Sequence, residues 1–121
     1  MKKAFVFPGQ GSQKIGMGKI LYDNFLSAKD VFEEVNDSLS NNLSKIIFDG
    51  PQEELTLTKN AQPAIMAVSF AVIRVLENDF KINIKNHIDY FAGHSLGEYT
   101  ALAASKATSL ADTAKILYFR G

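Results

Sequence analysis

Tyr90-Phe91-Ala92-Gly93-His94-Ser95-Leu96-Gly97-Glu98-Tyr99 is the stretch on which the fold of this chain turns. A short apolar run leads into Gly-X-Ser-X-Gly, and helix-forming residues follow. This is the pattern of a nucleophile elbow, in which a strand ends in a tight turn and the turn opens a helix. Ser95 would stand at its tip with the hydroxyl exposed. Gly93 and Gly97 leave room there because neither has a Cβ to strike the neighbouring backbone. The helix that follows would turn its N-terminus, with its free N–H groups, toward a developing negative charge. A bare Gly-X-Ser-X-Gly also occurs as an ordinary turn without chemistry. The apolar run before it and the helical run after it supply the context that the elbow demands.

Working outward, Ile88 to Gly93 reads as the strand that feeds the turn, and Thr100 to Ala104 continues the helix beyond it. Ser109 is placed to cap a last helix, Leu110 to Arg120, with Leu110, Ala114, Leu117 and Phe119 available for apolar contact. At the other end of the chain, Ala4-Phe5-Val6-Phe7 is a continuous apolar run stopped by Pro8-Gly9. It predicts a strand buried on both faces, as in a parallel sheet. Pro8-Gly9-Gln10-Gly11-Ser12-Gln13 then forms a loop at the carboxyl end of that strand, where α/β sheets bind their ligands. Gly9, Gly11 and Gly16 lack the Gly-X-Gly-X-X-Gly spacing of a dinucleotide site.

Between the two strands the pattern is helical. Gly18 to Phe25 predicts a short amphipathic helix, with Met17, Leu21 and Phe25 four apart. Ser27 followed by Asp30 has the spacing of a capping box. It would open a second helix with Ala28, Val31, Phe32, Val35 and Leu39 as its apolar stripe, ended by Ser38 to Asn42. Leu43 to Phe48 carries too few residues to assign. Asp49-Gly50-Pro51 is a turn, and Gln52 to Leu55 adds one helical turn. Pro63 suits the first position of a helix, which would hold Gln62 just outside it. Ala64 to Leu76 is apolar nearly all round and so predicts a helix buried on most faces. Asn78 to Asn86 reads as a surface connection.

Composition narrows the classes of function. Of 121 residues, 13 are basic and 13 acidic, so no net field draws the chain to nucleic acid or to anionic membranes. Cysteine is absent, which excludes disulfides and thiolate metal sites. The apolar run after Lys2-Lys3 ends at Pro8, too early for a signal peptide. Ala64 to Leu76 is interrupted by Ser69 and Arg74 and is too short to span a bilayer. These features predict a cytoplasmic protein. Two strands are few for a sheet, which usually holds four to six. The chain therefore reads as the opening portion of a larger α/β domain.

Four separated motifs agree on a family. Phe7-Pro8-Gly9-Gln10-Gly11-Ser12-Gln13, Gln62-Pro63-Ala64, Gly93-His94-Ser95-Leu96-Gly97-Glu98-Tyr99 and Arg120-Gly121 together resemble the malonyl-CoA:acyl-carrier-protein transacylases of fatty-acid synthesis. Acyltransferase domains of polyketide synthases look similar over the same motifs. The resemblance covers the whole chain, in the family's order and spacing. It implies an α/β fold, the N-terminal part of an α/β-hydrolase-like acyltransferase large subdomain, with parallel strands and helices and without the family's ferredoxin-like subdomain. On this reading residues 1–121 are a partial acyltransferase domain, incomplete at the C-terminus and a monomer if complete.

The resemblance also implies a reaction and its residues. Ser95 would take malonyl from malonyl-CoA as an ester, and the phosphopantetheine thiol of acyl carrier protein would then remove it. Backbone N–H groups of Gln10 and Leu96 would form the oxyanion hole. Arg120 matches the arginine that holds the malonyl carboxylate, and Gln62 matches a glutamine lining the same pocket. Neither a cofactor nor a metal is implied. The residue types suit the chemistry: fixed N–H donors stabilise an oxyanion, and losing one typically costs about 3 kcal/mol. A guanidinium can grip a carboxylate with two parallel hydrogen bonds, which discriminates malonyl from acetyl. Taken alone, Arg120 reads as a solvated cation near a helix C-terminus, and Gln62 as a polar residue flanking a helix.

The proton acceptor for Ser95 is not among these motifs. His94 is its neighbour, and adjacent side chains at a strand end diverge. His87 lies eight positions earlier, roughly 20–25 Å away along a mostly extended path. In the family the base is a histidine far downstream, so these 121 residues by themselves are expected to be impaired or inactive. A second departure is Lys106, which stands where the family usually has glycine. If that position needs a positive φ, lysine there costs on the order of 1 kcal/mol. Two other readings stay open: an esterase built on the same elbow, and a non-catalytic remnant.

Overall fold

The structure, a computed structural model, describes residues 3–84, 88, 90–93, 96–106 and 108–120; within the helices, the side chains of Leu96, Glu98 and Arg120 are outside that description. His87, His94, Ser95 and Gly121 therefore lie outside the described residues. The chain is α/β. Strand β1 (Ala4–Phe7) is followed by five helices: α1 (Lys19–Asn24), α2 (Leu26–Leu39), α3 (Leu43–Asp49), α4 (Gln52–Thr56) and α5 (Thr58–Asn78). Among the described residues, strand β2 (Tyr90–Gly93), α6 (Leu96–Ala104) and α7 (Leu110–Arg120) follow.

The two strands pair in parallel, with Ala4 beside Tyr90, Phe5 beside Phe91, Val6 beside Ala92 and Phe7 beside Gly93. Side chains alternate across a strand, and one face gathers Phe5, Phe7 and Phe91. Phe7 and Phe91 stack with ring centroids 6.5 Å apart, and Phe5 meets each of them edge-on. The other face corrects the expectation of a doubly buried β1. Val6 is 76% exposed and Tyr90 52%, because among the described residues only one layer of helices covers this sheet.

Helix α5 is the centre of the packing. Ala61 to Ala67 are buried without interruption, and Phe70, Ala71, Ile73 and Val75 continue the buried surface. Against it lie Ala28, Val31, Phe32 and Val35 of α2 and Leu110, Ala114 and Leu117 of α7, all buried. Complete burial of the valine, phenylalanine and leucine side chains among them contributes about 1.5–3 kcal/mol each. None of the helices formed by the described residues is long and apolar enough to cross a membrane.

The predicted boundaries of two helices need correction. Helix α5 starts at Thr58, so Pro63 lies inside it and Gln62 is a helical residue, not one held outside. Proline removes one backbone donor, and the carbonyl four residues back belongs to Lys59. Lys59 is exposed, so water can serve that carbonyl. Helix α2 starts at Leu26 with an extended Phe25 before it, and Ser27 does not cap it. The Ser27 hydroxyl instead donates to Asp79 Oδ2, tying the start of α2 to the end of α5. Leu43 to Phe48, unassigned from sequence, is helical in α3: Asn42 Oδ1 accepts from the Lys45 N–H, and Asn36 of α2 hydrogen-bonds both the N–H and the hydroxyl of Ser44. The Ser109 cap stands as expected, its hydroxyl accepting from the Asp112 N–H at 3.0 Å. Phe119 does not join the apolar stripe of α7; it is 81% exposed. It is nine residues after Leu110, half a turn out of phase on a helix.

Candidate active site

The parallel register ends both strands at one level, Phe7 opposite Gly93. The segments that follow them therefore leave from the same edge of the sheet. After β1 the chain is held in a knot of short bonds: Ser12 Oγ donates to the Gly9 carbonyl at 2.9 Å, and the Gly11 N–H donates to Gln13 Oε1 at 2.8 Å. The Gly16 N–H then reaches the Ile47 carbonyl of α3 at 2.7 Å.

Gly93, the last residue of β2, and Gly97, in the first turn of α6, touch. A Cβ on Gly93 would come within 2.6 Å of the Gly97 Cα and would collide with its carbonyl group. A Cβ on Gly97 would run into the Phe7 carbonyl oxygen, with the Phe7 carbonyl carbon at 3.0 Å and the Pro8 oxygen at 3.2 Å. The spacing of the two glycines is thus the spacing at which the end of β2 meets the first turn of α6 and that turn of the helix meets the end of β1. Helix α6 opens beside Phe7 and Pro8. Its first N–H groups have no acceptor within the helix, and the peptide dipoles leave that end partly positive.

Of the residues singled out from sequence, Gln10 and Gln62 are brought together across 52 positions. The Gln62 Nε2 donates to Gln10 Oε1 at 3.4 Å. Gln10 in turn donates from Nε2 to Thr58 Oγ1 at 3.1 Å. Gln62 is 6% exposed, and among the described residues its Oε1 is buried without a hydrogen-bond donor. Leu96 is the first residue of α6, so its backbone belongs to the helix end that abuts the β1 loop. Arg120 is the last residue of α7, which packs on α5, α2 and α6. Ser95 falls between Gly93 and Leu96, outside the described residues.

Thr58 was not legible as a site residue. Its partner is 48 positions away, and no local pattern marks it. Lys106, by contrast, has the positive φ anticipated for it, 67°. Among the described residues no group of His, Asp and Glu side chains could hold a metal ion.

Comparison with known proteins agrees with this arrangement. Residues 4–121 match the acyl transferase domain family. A malonyl CoA-acyl carrier protein transacylase of Bacillus subtilis (strain 168) is 51% identical over 120 residues, covering 99% of this chain and 36% of the relative. The crystal structure of an acyl-carrier-protein-S-malonyltransferase from Bartonella henselae is 59% identical, with a TM-score of 0.96 over 99% of this chain and 38% of that one. A malonyl-transacylase solved in complex with its type II PKS acyl-carrier protein is 36% identical, with a TM-score of 0.90 over 99% of this chain and 38% of that one. The chain thus spans little more than a third of the length of these relatives. With both strands, the close-packed glycines and the paired glutamines all falling inside the matched span, this chain belongs to the acyl transferase domain family.

Proposed function

We propose that the protein carries malonyl from coenzyme A to the phosphopantetheine thiol of acyl carrier protein through an ester on Ser95, as a step of fatty-acid synthesis. The observation that carries this reading is the contact of Gly93 with Gly97 and of Gly97 with Phe7, which brings the start of α6 against the loop bearing Gln10. We read that turn as a nucleophile elbow, and the fold as the large subdomain of an α/β-hydrolase-like acyltransferase. The names of the relatives support the choice of acyl group and carrier.

In this mechanism the Ser95 oxygen attacks the thioester carbonyl of malonyl-CoA. The carbonyl oxygen becomes an oxyanion, held by the N–H groups of Gln10 and Leu96. Collapse breaks the C–S bond, and coenzyme A leaves as its thiol with the proton that Ser95 gave up. The carrier thiol then attacks the seryl ester, the C–O bond breaks, and the proton returns to Ser95. Splitting the transfer in this way lets two large carriers use one site in turn. Arg120 would hold the malonyl carboxylate with paired hydrogen bonds, and Gln62 would line the same pocket. Neither His87 nor His94 is placed along the chain to take the serine proton, so we infer that these 121 residues alone are impaired or inactive. The same reading puts the reaction in the cytoplasm.

Intact-mass spectrometry after incubation with malonyl-CoA tests the proposal. One malonyl adduct is expected, lost in Ser95→Ala, and Arg120→Ala should lower malonyl loading while sparing acetyl loading. An adduct that survives Ser95→Ala would overturn the mechanism. Faster cleavage of a nitrophenyl ester than of malonyl-CoA would return the esterase reading.

A further inference from the structure

We propose that Thr58 is a positioning residue of this site: its hydroxyl ends a three-group relay, Thr58–Gln10–Gln62, that lets the Gln62 amide present either of its ends to a ligand. The relay is built from chain segments far apart in sequence. Gln10 Nε2 donates to Thr58 Oγ1 at 3.1 Å, and Gln62 Nε2 donates to Gln10 Oε1 at 3.4 Å. The far end is Gln62 Oε1, buried and accepting nothing from the described residues. A buried acceptor without a donor is costly, so this end is primed for a partner.

An amide has its oxygen on one side and its NH2 on the other, so fixing one end of the relay fixes the next. The hydroxyl of threonine is the exception, since it both donates and accepts. The relay therefore has a second, fully bonded sense. Thr58 O–H donates to Gln10 Oε1, Gln10 Nε2 donates to Gln62 Oε1, and Gln62 Nε2 becomes the free end. The present sense offers an acceptor to whatever meets Gln62. The reversed sense offers N–H donors and suits a carboxylate oxygen. Resting on the malonyl-transfer reading, the carboxylate of the acyl group selects the reversed sense. Thr58 permits the change because it can serve either direction. Its exposed place at the start of α5 lets it be altered without disturbing the core.

The test uses the 15N-labelled protein and its Thr58→Val and Thr58→Ser variants, reading the side-chain amide signals of Gln10 and Gln62. Thr58→Val should speed water exchange of the Gln10 amide protons about fivefold and shift the Gln62 pair, while Thr58→Ser keeps both as they are. With malonyl-CoA, Thr58→Val should raise KM about fivefold and leave kcat within about twofold, with Thr58→Ser restoring KM. Gln10 and Gln62 signals unmoved by Thr58→Val would overturn the relay, and so would a serine variant that behaves like valine. If the unaltered protein forms no malonyl ester while Thr58→Val still moves both amides, the malonyl reading fails and the relay stands.

Discussion

Glycine stands on both sides of the turn that opens α6, and lysine stands in the turn that closes it. The two turns ask for different things. Neither Gly93 nor Gly97 has φ in the left-handed region, so their backbone angles are open to any residue. What they lack is space, for a Cβ at either place meets backbone that is itself held in the sheet or the helix. Lys106 is the reverse. Its φ is 67°, and its side chain is exposed. The Ser105 and Lys106 N–H groups bond back to the carbonyls of Ala101 and Ala103, at 2.9 and 3.0 Å, as a helix ends. A strained dihedral facing solvent costs on the order of 1 kcal/mol and is tolerated. A steric collision between backbone segments has no such relief.

The largest test of this contrast is Gly97→Ala. Helix propensity alone favours alanine by about 1 kcal/mol. The Phe7 carbonyl stands in the way, so β1 and the loop after it would have to shift. We expect a loss of about 3 kcal/mol or more, read from the midpoint of urea unfolding. A variant as stable as the parent, or more so, would mean that propensity governs this turn and that the close approach is not needed.

How much of this could be read from the chain depended on how local each signal was. The turn after β2 was legible because its requirement repeats every fourth residue, at Gly93 and Gly97. The Ser109 cap was legible because donor and acceptor are three residues apart. The positive φ at Lys106 was legible only through resemblance to a family that has glycine there. Other features are set by contacts that no local window contains. Pro63 looked like a helix start because the segment before it, Thr58 to Gln62, carries no apolar periodicity. That segment is helical because Asn60, Ala61 and Gln62 are buried there, with Asn60 Nδ2 donating to the Glu54 carbonyl at 2.9 Å. Ser27 looked like a cap, but Asp79, 52 positions away, takes its hydroxyl. In the site, Gln10 and Gln62 were singled out by resemblance. Their direct bond, and the bond from Gln10 to Thr58, needed the folded chain.

At the closing turn, Ser109→Ala measures how much of the connection is held by its cap. The hydroxyl satisfies the Asp112 N–H, one of the donors that the first turn of α7 leaves without a partner. Its removal should cost about 1 kcal/mol, and Ser109→Asp should retain most of it, since aspartate caps as well as serine. Unchanged stability in Ser109→Ala would show that α7 is held by Leu110, Ala114 and Leu117 alone. The turn could then drift without consequence for Arg120 at the other end of the helix.

The smallest effect is the one that separates the two turns most cleanly. Lys106→Gly removes the strain of the left-handed conformation, worth on the order of 1 kcal/mol. It also loosens the unfolded chain, which cancels part of that, so a net gain of about 0.5 kcal/mol is expected. Lys106→Ala keeps a Cβ and should leave stability nearly unchanged. If alanine instead destabilises by about 0.5 kcal/mol, the lysine charge near the C-terminal carbonyls of α6 is contributing through the helix dipole. If glycine brings no gain, the strain assigned to φ 67° is absent, and the contrast with Gly93 and Gly97 reduces to the difference between open and closed space.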